Sequence, residues 1–201
     1  MRAGVIVAGG RSTRFGDSDK AVADLAGTPM IRRVADRLGQ VVDELVVNCR
    51  EDQVEAIDAA LSGHTLDPTF ALDEDPDQGP MAGIATGLGA VDSEYAAVVA
   101  CDMPFVDPAF LDYLFERAAS HEAAVPRPDE WFQTTQAVYH AEAMQAACQR
   151  ALERAEHKVV EPLFDLDYIV VEREEILECT SLDTFNNLNT REEFEAAAER
   201  F

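Results

Sequence analysis

Positive charge is scarce in this chain. Of its 201 residues only 16 are Lys or Arg, against 39 Asp or Glu, and the formal net charge is -23. Lysine occurs only at Lys20 and Lys158. No basic stripe is available to neutralise phosphates, which argues against a nucleic-acid partner and against docking to an anionic membrane. No CxxC pair occurs: Cys49, Cys101, Cys148 and Cys179 lie far apart, as do His64, His121, His140 and His157. That leaves no zinc ribbon or dithiol motif and suggests a reduced, cytoplasmic protein with ordinary thiols. The apolar run from Ala3 to Ala8 is too short to span a bilayer and leads straight into glycines. So acidic a small domain repels itself at low salt. At molar salt the Debye length is only about 3 Å and most of that repulsion vanishes. The expectation is therefore a halophilic protein of a high-salt cytoplasm.

Hydrophobic residues make up 47% of the chain and charged ones 27%, a globular composition. The length suits a single domain over 1–201. Short apolar runs alternate with helical stretches. Strands are expected at Gly4–Ala8, Leu45–Cys49, Phe70–Leu72 and Tyr95–Cys101. Thr28-Pro29 reads as an N-cap followed by proline at the first helical position, opening a helix toward Leu38. Further helices are expected over Asp52–Leu61, over Met81–Val91 behind Pro80, and from Asp107-Pro108 to about Ser120. This β-α repetition argues for a parallel sheet with helices on both faces. The second half is less regular. Strands are expected at Ala123–Val125, Gln136–Tyr139 and Tyr168–Val171, and a helix from Ala141 to about Ala155. Thr190 to Glu193 fits a capping box opening a final helix. The acidic tract Glu172–Glu178 reads as solvated surface.

Three segments carry chemistry. The first is GVIVAGGRSTRFGDSDK, Gly4 to Lys20. A buried strand runs into Gly9-Gly10, whose backbone N–H groups can approach an anion closely. Arg11, Arg14 and Lys20 then bring positive charge into a chain that otherwise avoids it. A surface loop with a tight turn is the plainer alternative. Neither the GxxxxGK[ST] phosphate loop nor the GxGxxG dinucleotide fingerprint fits. The second segment is VVACDMP, Val98 to Pro104. Asp102 directly follows a hydrophobic strand, which places it in the crevice at the strands' C-terminal edge. A carboxylate there suits Mg²⁺, or it caps a turn before Pro104. The third is LDEDPDQGPMAG, Leu72 to Gly83. Asp73 ends a strand, and Gly79-Pro80 starts a helix whose N-terminus can face an anion. Gly83, Gly87 and Gly89 imply close packing or close ligand approach.

Together these segments resemble the molybdenum cofactor guanylyltransferases (MobA). The resemblance rests on VAGGRSTRFG with Lys20, on Gly79-Pro80-Met81-Ala82-Gly83, on Cys101-Asp102-Met103-Pro104, and on Asn187-Leu188-Asn189-Thr190-Arg191-Glu192-Glu193. It spans nearly the whole chain, with the matches in the same order. Phe15 stands for the usual Met, Val7 for Leu and Arg191 for Pro. Gln133 to Gln136 lacks the proline expected before the next strand. The resemblance implies a three-layer α/β/α sandwich around a mostly parallel, Rossmann-like sheet of the nucleotide-diphospho-sugar transferase type. Residues 1–105 would form the GTP- and Mg²⁺-binding half and 106–201 the acceptor-binding half.

The implied reaction moves GMP from GTP to the molybdopterin cofactor and releases pyrophosphate. The family's GTP contacts map onto Val7, Ala8, Gly9, Lys20, Asn48, Asp73 and Asp102, with Gly10 beside them, and its Mg²⁺ position onto Asp102. Asn187 and Asn189 would lie on the pterin side. Lys20 and Arg14 would stabilise charge at the phosphates, with Asp102 completing the catalytic set. Asn48, at a strand end, contacts base or ribose, or caps a turn. GTP and molybdopterin cofactor are the expected substrates, and a cofactor-delivery protein or recipient molybdoenzyme is a conceivable transient partner. Cytidylyl transfer to the cofactor, guanylyl transfer to cobinamide phosphate, phosphosugar activation and GTP binding without turnover are the competing readings.

Overall fold

A computed structural model describes residues 1–10, 19–73, 78–156 and 158–201. Arg11, Arg14, Phe15 and His157 lie outside the described residues. The strands are β1 (Arg2–Val7), β2 (Asp24–Leu25), β3 (Thr28–Pro29), β4 (Glu44–Cys49), β5 (Thr69–Leu72), β6 (Tyr95–Ala100), β7 (Ala123–Arg127), β8 (Gln136–His140) and β9 (Tyr168–Glu172). The helices are α1 (Met30–Leu38), α2 (Val54–Leu61), α3 (Pro80–Leu88), α4 (Pro108–Ala118), α5 (Ala141–Glu153), α6 (Val160–Leu163), α7 (Arg173–Cys179) and α8 (Arg191–Ala198). Single 3₁₀ turns occupy Lys20–Val22, Glu51–Gln53 and Leu182–Phe185.

Seven strands form one sheet in the order β5-β4-β1-β6-β8-β7-β9. β5, β4, β1 and β6 pair in parallel, as do β7 and β9; β8 runs antiparallel to both its neighbours. β1 therefore has β4 on one side and β6 on the other. The strand order reverses there, and an open α/β sheet offers its ligand crevice at such a point, at the strands' C-terminal ends.

Strand periodicity divides the core in two. Ile6, Val47, Val99, Val138 and Val171 face α1, α2, α4 and α7. Val5, Val46, Val98, Ala137 and Tyr139 face α3, α5 and Leu163 of α6. The three-layer α/β/α arrangement and mostly parallel sheet agree with the sequence expectation. A third cluster of Leu25, Met30, Leu188 and Ala197 seats the C-terminal segment on the short β2-β3 hairpin.

Local signals match in part. The Asp107 side chain accepts from Ala109 N at 2.9 Å with Pro108 in the first turn, so that cap is real. Thr190 and Glu193 form the expected capping box. Thr28 is not a cap. It pairs with Leu25 across the hairpin, and α1 begins after Pro29 with no side-chain cap. Ala26 and Gly27, at φ 52° and 82°, make the turn between those strands. The acidic tract is solvated as expected, but it contains α7, anchored by buried Ile176.

Candidate active site

The C-terminal edge of β1, β4 and β6 gathers the polar residues. Lys20 opens a 3₁₀ turn capped by Asp19, whose side chain accepts from Ala21 N. That turn buries the lysine to 9% exposure, unusual for so hydrophilic a side chain. Its Nζ donates to Asp102 Oδ2 at 2.7 Å and to Asn189 Oδ1 at 3.1 Å. Asp102 stands two residues beyond β6, and its own carbonyl accepts from Leu188 N at 3.0 Å. Three segments distant in sequence thus meet at one ammonium group. Asn189 is oriented from behind, because Glu193 Oε2 accepts from the backbone N–H of both Asn189 and Thr190. These hydrogen bonds hold the Glu193 carboxyl below its ordinary value.

Asp102 Oδ1 is buried and has no hydrogen-bond partner among the described residues. A buried carboxylate oxygen left open costs free energy unless something occupies it. It is the kind of hard, anionic donor that a divalent cation takes.

A second group surrounds Asn48. Its side chain is wholly buried and donates to Ala71 O at 3.2 Å and to Asp73 Oδ1 at 2.6 Å. Asn48 therefore positions Asp73 and does not cap its own turn. Its Oδ1 is also without a partner among the described residues. Glycines make room for this packing. A Cβ on Gly9 would collide with Asp73 Oδ2, and one on Gly83 with Asn48 Oδ1. Of the two readings of the α3 glycines, close packing is the one that the geometry displays, against Val7, Asn48 and Val5 of the sheet. α3 nonetheless starts at this same edge, since it follows β5.

The backbone of the glycine segment is anchored carbonyl by carbonyl. Val7 O accepts from Cys101 N at 3.1 Å and Ala8 O from Gln53 Nε2 at 3.1 Å. Gly9 O and Gly10 O accept from Arg50 Nη1 at 3.0 and 3.3 Å. Neither Gln53 nor Arg50 was marked by the sequence reading. The available signal was a glutamine three residues after Arg50, which follows β4, half of a capping box: Gln53 Oε1 accepts from Arg50 N at 2.9 Å.

Of the residues singled out in the sequence, Lys20, Asp102 and Asn189 come together directly. Val7, Ala8, Gly9, Asn48 and Asp73 form the adjoining wall, with Gly10 exposed at its rim. Asn187 lies one residue from Leu188 and presents a buried Oδ1 without a partner among the described residues. The thiols are unsuited to nucleophilic work. Burial, and then the Asp73 carboxylate, pushes Cys49 up to about 11. Desolvation, and then Asp102, pushes Cys101 up as well. Among the described residues, no cluster of three His, Cys, Asp or Glu forms a ready-made metal cage. Any cation here would lean on Asp102 and on substrate oxygens, as Mg²⁺ commonly does.

Comparison with known proteins agrees with this architecture. Residues 4–167 match the model of the MobA-like NTP transferase domain. A Natronomonas pharaonis protein described as "Probable molybdenum cofactor guanylyltransferase" is 60% identical, the match covering 99% of this chain and 98% of that one. The molybdenum cofactor guanylyltransferase of Serratia proteamaculans is 31% identical over 94% of this chain and 90% of its own. Among solved structures, molybdopterin-guanine dinucleotide biosynthesis protein A from Archaeoglobus fulgidus superposes with a TM-score of 0.81 at 26% identity, covering 100% of this chain and 98% of that one. With sequence and fold matched over nearly the whole length, this chain belongs to the molybdenum cofactor guanylyltransferase (MobA) family of nucleotidyltransferases.

Proposed function

We propose that the chain transfers GMP from GTP to the molybdenum–molybdopterin cofactor, forming molybdopterin guanine dinucleotide and pyrophosphate. The observation that carries this reading is the meeting of Lys20, Asp102 and Asn189 at the sheet's switch point, with Asp102 Oδ1 unpartnered among the described residues. The terminal phosphate of the acceptor attacks the α-phosphorus of GTP, the α–β bridging bond breaks, and pyrophosphate leaves with the electron pair. A phosphate monoester is already ionised near neutral pH, so no dedicated general base is needed. Catalysis then consists of positioning and charge neutralisation. Lys20 supplies a fixed positive charge at the phosphates, and Arg14 is proposed to join it. The peptide N–H groups at Gly9 and Gly10 would hold phosphate oxygens. Asn48, through Asp73, would shape the nucleoside side of the site.

The donor set suits Mg²⁺, and Asp102 Oδ1 would hold it. When bound, the ion supplies Lewis-acid polarisation and neutralises phosphate charge. Residues 1–105 are proposed as the nucleotide half and 106–201 as the acceptor half, with Asn187 and Asn189 bridging the two. No helix among the described residues is long and apolar enough to cross a membrane. We place the enzyme in a high-salt cytoplasm on the strength of its charge. There it would meet a cofactor-delivery protein or a recipient molybdoenzyme transiently.

The test is pyrophosphate release in high-salt buffer with Mg²⁺, using GTP, CTP or ATP, each with and without molybdenum cofactor. Release with GTP alone among the nucleotides, and only with the cofactor, is expected. Release with CTP reassigns the base. No release with any pair removes transfer to this acceptor.

A further inference from the structure

Gln53 is 2% exposed, and both its amide nitrogen and its amide oxygen are engaged. Nε2 donates to Ala8 O at 3.1 Å and to Asp19 Oδ2 at 2.5 Å, while Oε1 accepts from Arg50 N at 2.9 Å. Ala8 follows β1, where the glycine segment departs. Asp19 is where the chain returns, and its other oxygen caps the turn that carries Lys20. One side chain on the far side of β4 therefore fastens both ends of the segment between Ala8 and Lys20. Arg50, whose N–H it accepts, holds the next two carbonyls, Gly9 O and Gly10 O. Carbonyl oxygens repel phosphates, and these hydrogen bonds engage those of Ala8, Gly9 and Gly10.

We infer that Gln53 is a positioning residue for nucleotidyl transfer: it clasps Ala8 to Asp19 and thereby holds Lys20 at Asp102. The inference rests on the proposed transfer reaction for its kinetic consequence, but not for its structural one. The chemistry demands glutamine. Glutamate lacks both donor hydrogens and would set a carboxylate against Asp19 and the Ala8 carbonyl. Asparagine is one methylene too short to span the same partners. Misplacing a reacting charge by about 1 Å can cost roughly 100-fold in rate.

The scarcity of lysine supplies the test. Protein carrying ¹³C-labelled lysine shows two side-chain NMR signals, from Lys20 and Lys158, and Lys158→Arg assigns them. In Gln53→Glu the Lys20 signal is expected to move toward that of an exposed lysine. kcat with GTP and cofactor should fall roughly 10- to 100-fold, with the KM for the acceptor unchanged. Adding Asp19→Asn to Gln53→Glu restores a donor–acceptor match and should recover part of both effects, a coupling that generalised destabilisation would not produce. Should Gln53→Glu fail to fold, Gln53→Met decides, because it removes the amide from the clasp and leaves the Asp19 cap on Ala21 N in place. An unmoved Lys20 signal in a folded variant of either kind overturns the inference. If the wild-type protein releases no pyrophosphate, the transfer reading falls while the lysine signal still decides whether the clasp sets Lys20.

Discussion

The two edges of the sheet treat polar groups in opposite ways. At the N-terminal edge the starts of β1, β4, β6 and β7 are tied off. Arg2 N donates to Asp43 at 3.0 Å and the Arg2 guanidinium pairs with Asp112. Glu44 accepts from Asp92 N, Ser93 N and Ser93 Oγ, and Tyr95 OH donates to His121 O at 3.1 Å. Ahead of β7, Glu122 accepts from Asp167 N at 2.8 Å. At the C-terminal edge buried oxygens are left with open valences: Asn48 Oδ1, Asp102 Oδ1, Gln136 Oε1 and Asn187 Oδ1 lack partners among the described residues, whereas Arg117 Nε, buried in the last turn of α4 without a hydrogen bond, has the Glu175 carboxylate at 2.9 Å as its ion-pair partner. Gln136 belongs here because β8 runs antiparallel, which sets it beside Val99 near the end of β6. Buried oxygens without partners are expensive. Their concentration on one edge marks where the molecule is built to receive something, and the other edge shows what mere closure of the fold requires.

The sharpest way to break the comparison is Lys20→Ala. Removing a preorganised charge should lower turnover by about 100-fold or more while circular dichroism shows the fold retained, with Tm lowered by the carboxylate left unpaired. Full activity in the purified variant would strip the C-terminal edge of its catalytic meaning. Asp102→Asn comes next. The Mg²⁺ concentration giving half-maximal activity should rise by at least the roughly 10- to 100-fold that even changes behind a metal ligand cost. A metal titration superimposable on wild type would take Asp102 out of the metal site. Gly9→Ala should cost about 1–3 kcal/mol of stability by overpacking against Asp73 and Asn48, and raise the KM for GTP. Denaturant melts and GTP titrations read both. The smallest effect belongs to the opposite edge. Arg2→Ala breaks a half-exposed ion pair and a stack on Phe115, and should cost no more than about 1 kcal/mol with kcat untouched. A large loss of activity there would erase the distinction between the edges.

What was legible in the sequence was local. Asp107-Pro108 and Thr190 to Glu193 announce helix starts because a cap and its partner lie within three residues. Lys20 stood out by rarity and Asp102 by following a buried strand. Thr28-Pro29 misled because tertiary pairing with Asp24–Leu25 outweighs the local cap preference. α7 was invisible as a helix because one buried residue, Ile176, sets no period. Gln53 escaped because, beside its local bond from Arg50 N, the partners it clasps are 45 and 34 residues away, beyond the reach of a spacing rule. Asn48 showed its position at a strand end but not its task, which is to brace Asp73.

The contacts of Lys20 also set a timetable. Its ion pair closes 82 residues of chain and its bond to Asn189 closes 169. Contacts this remote in sequence form late, after the local helices and neighbouring strand pairs. Secondary structure should therefore return early in refolding and catalysis last, when α8 docks. During synthesis Asp102 follows Lys20 by 82 residues but Asn189 only by 169, so a half-made chain can form the ion pair of Lys20 before the contact that completes its surroundings.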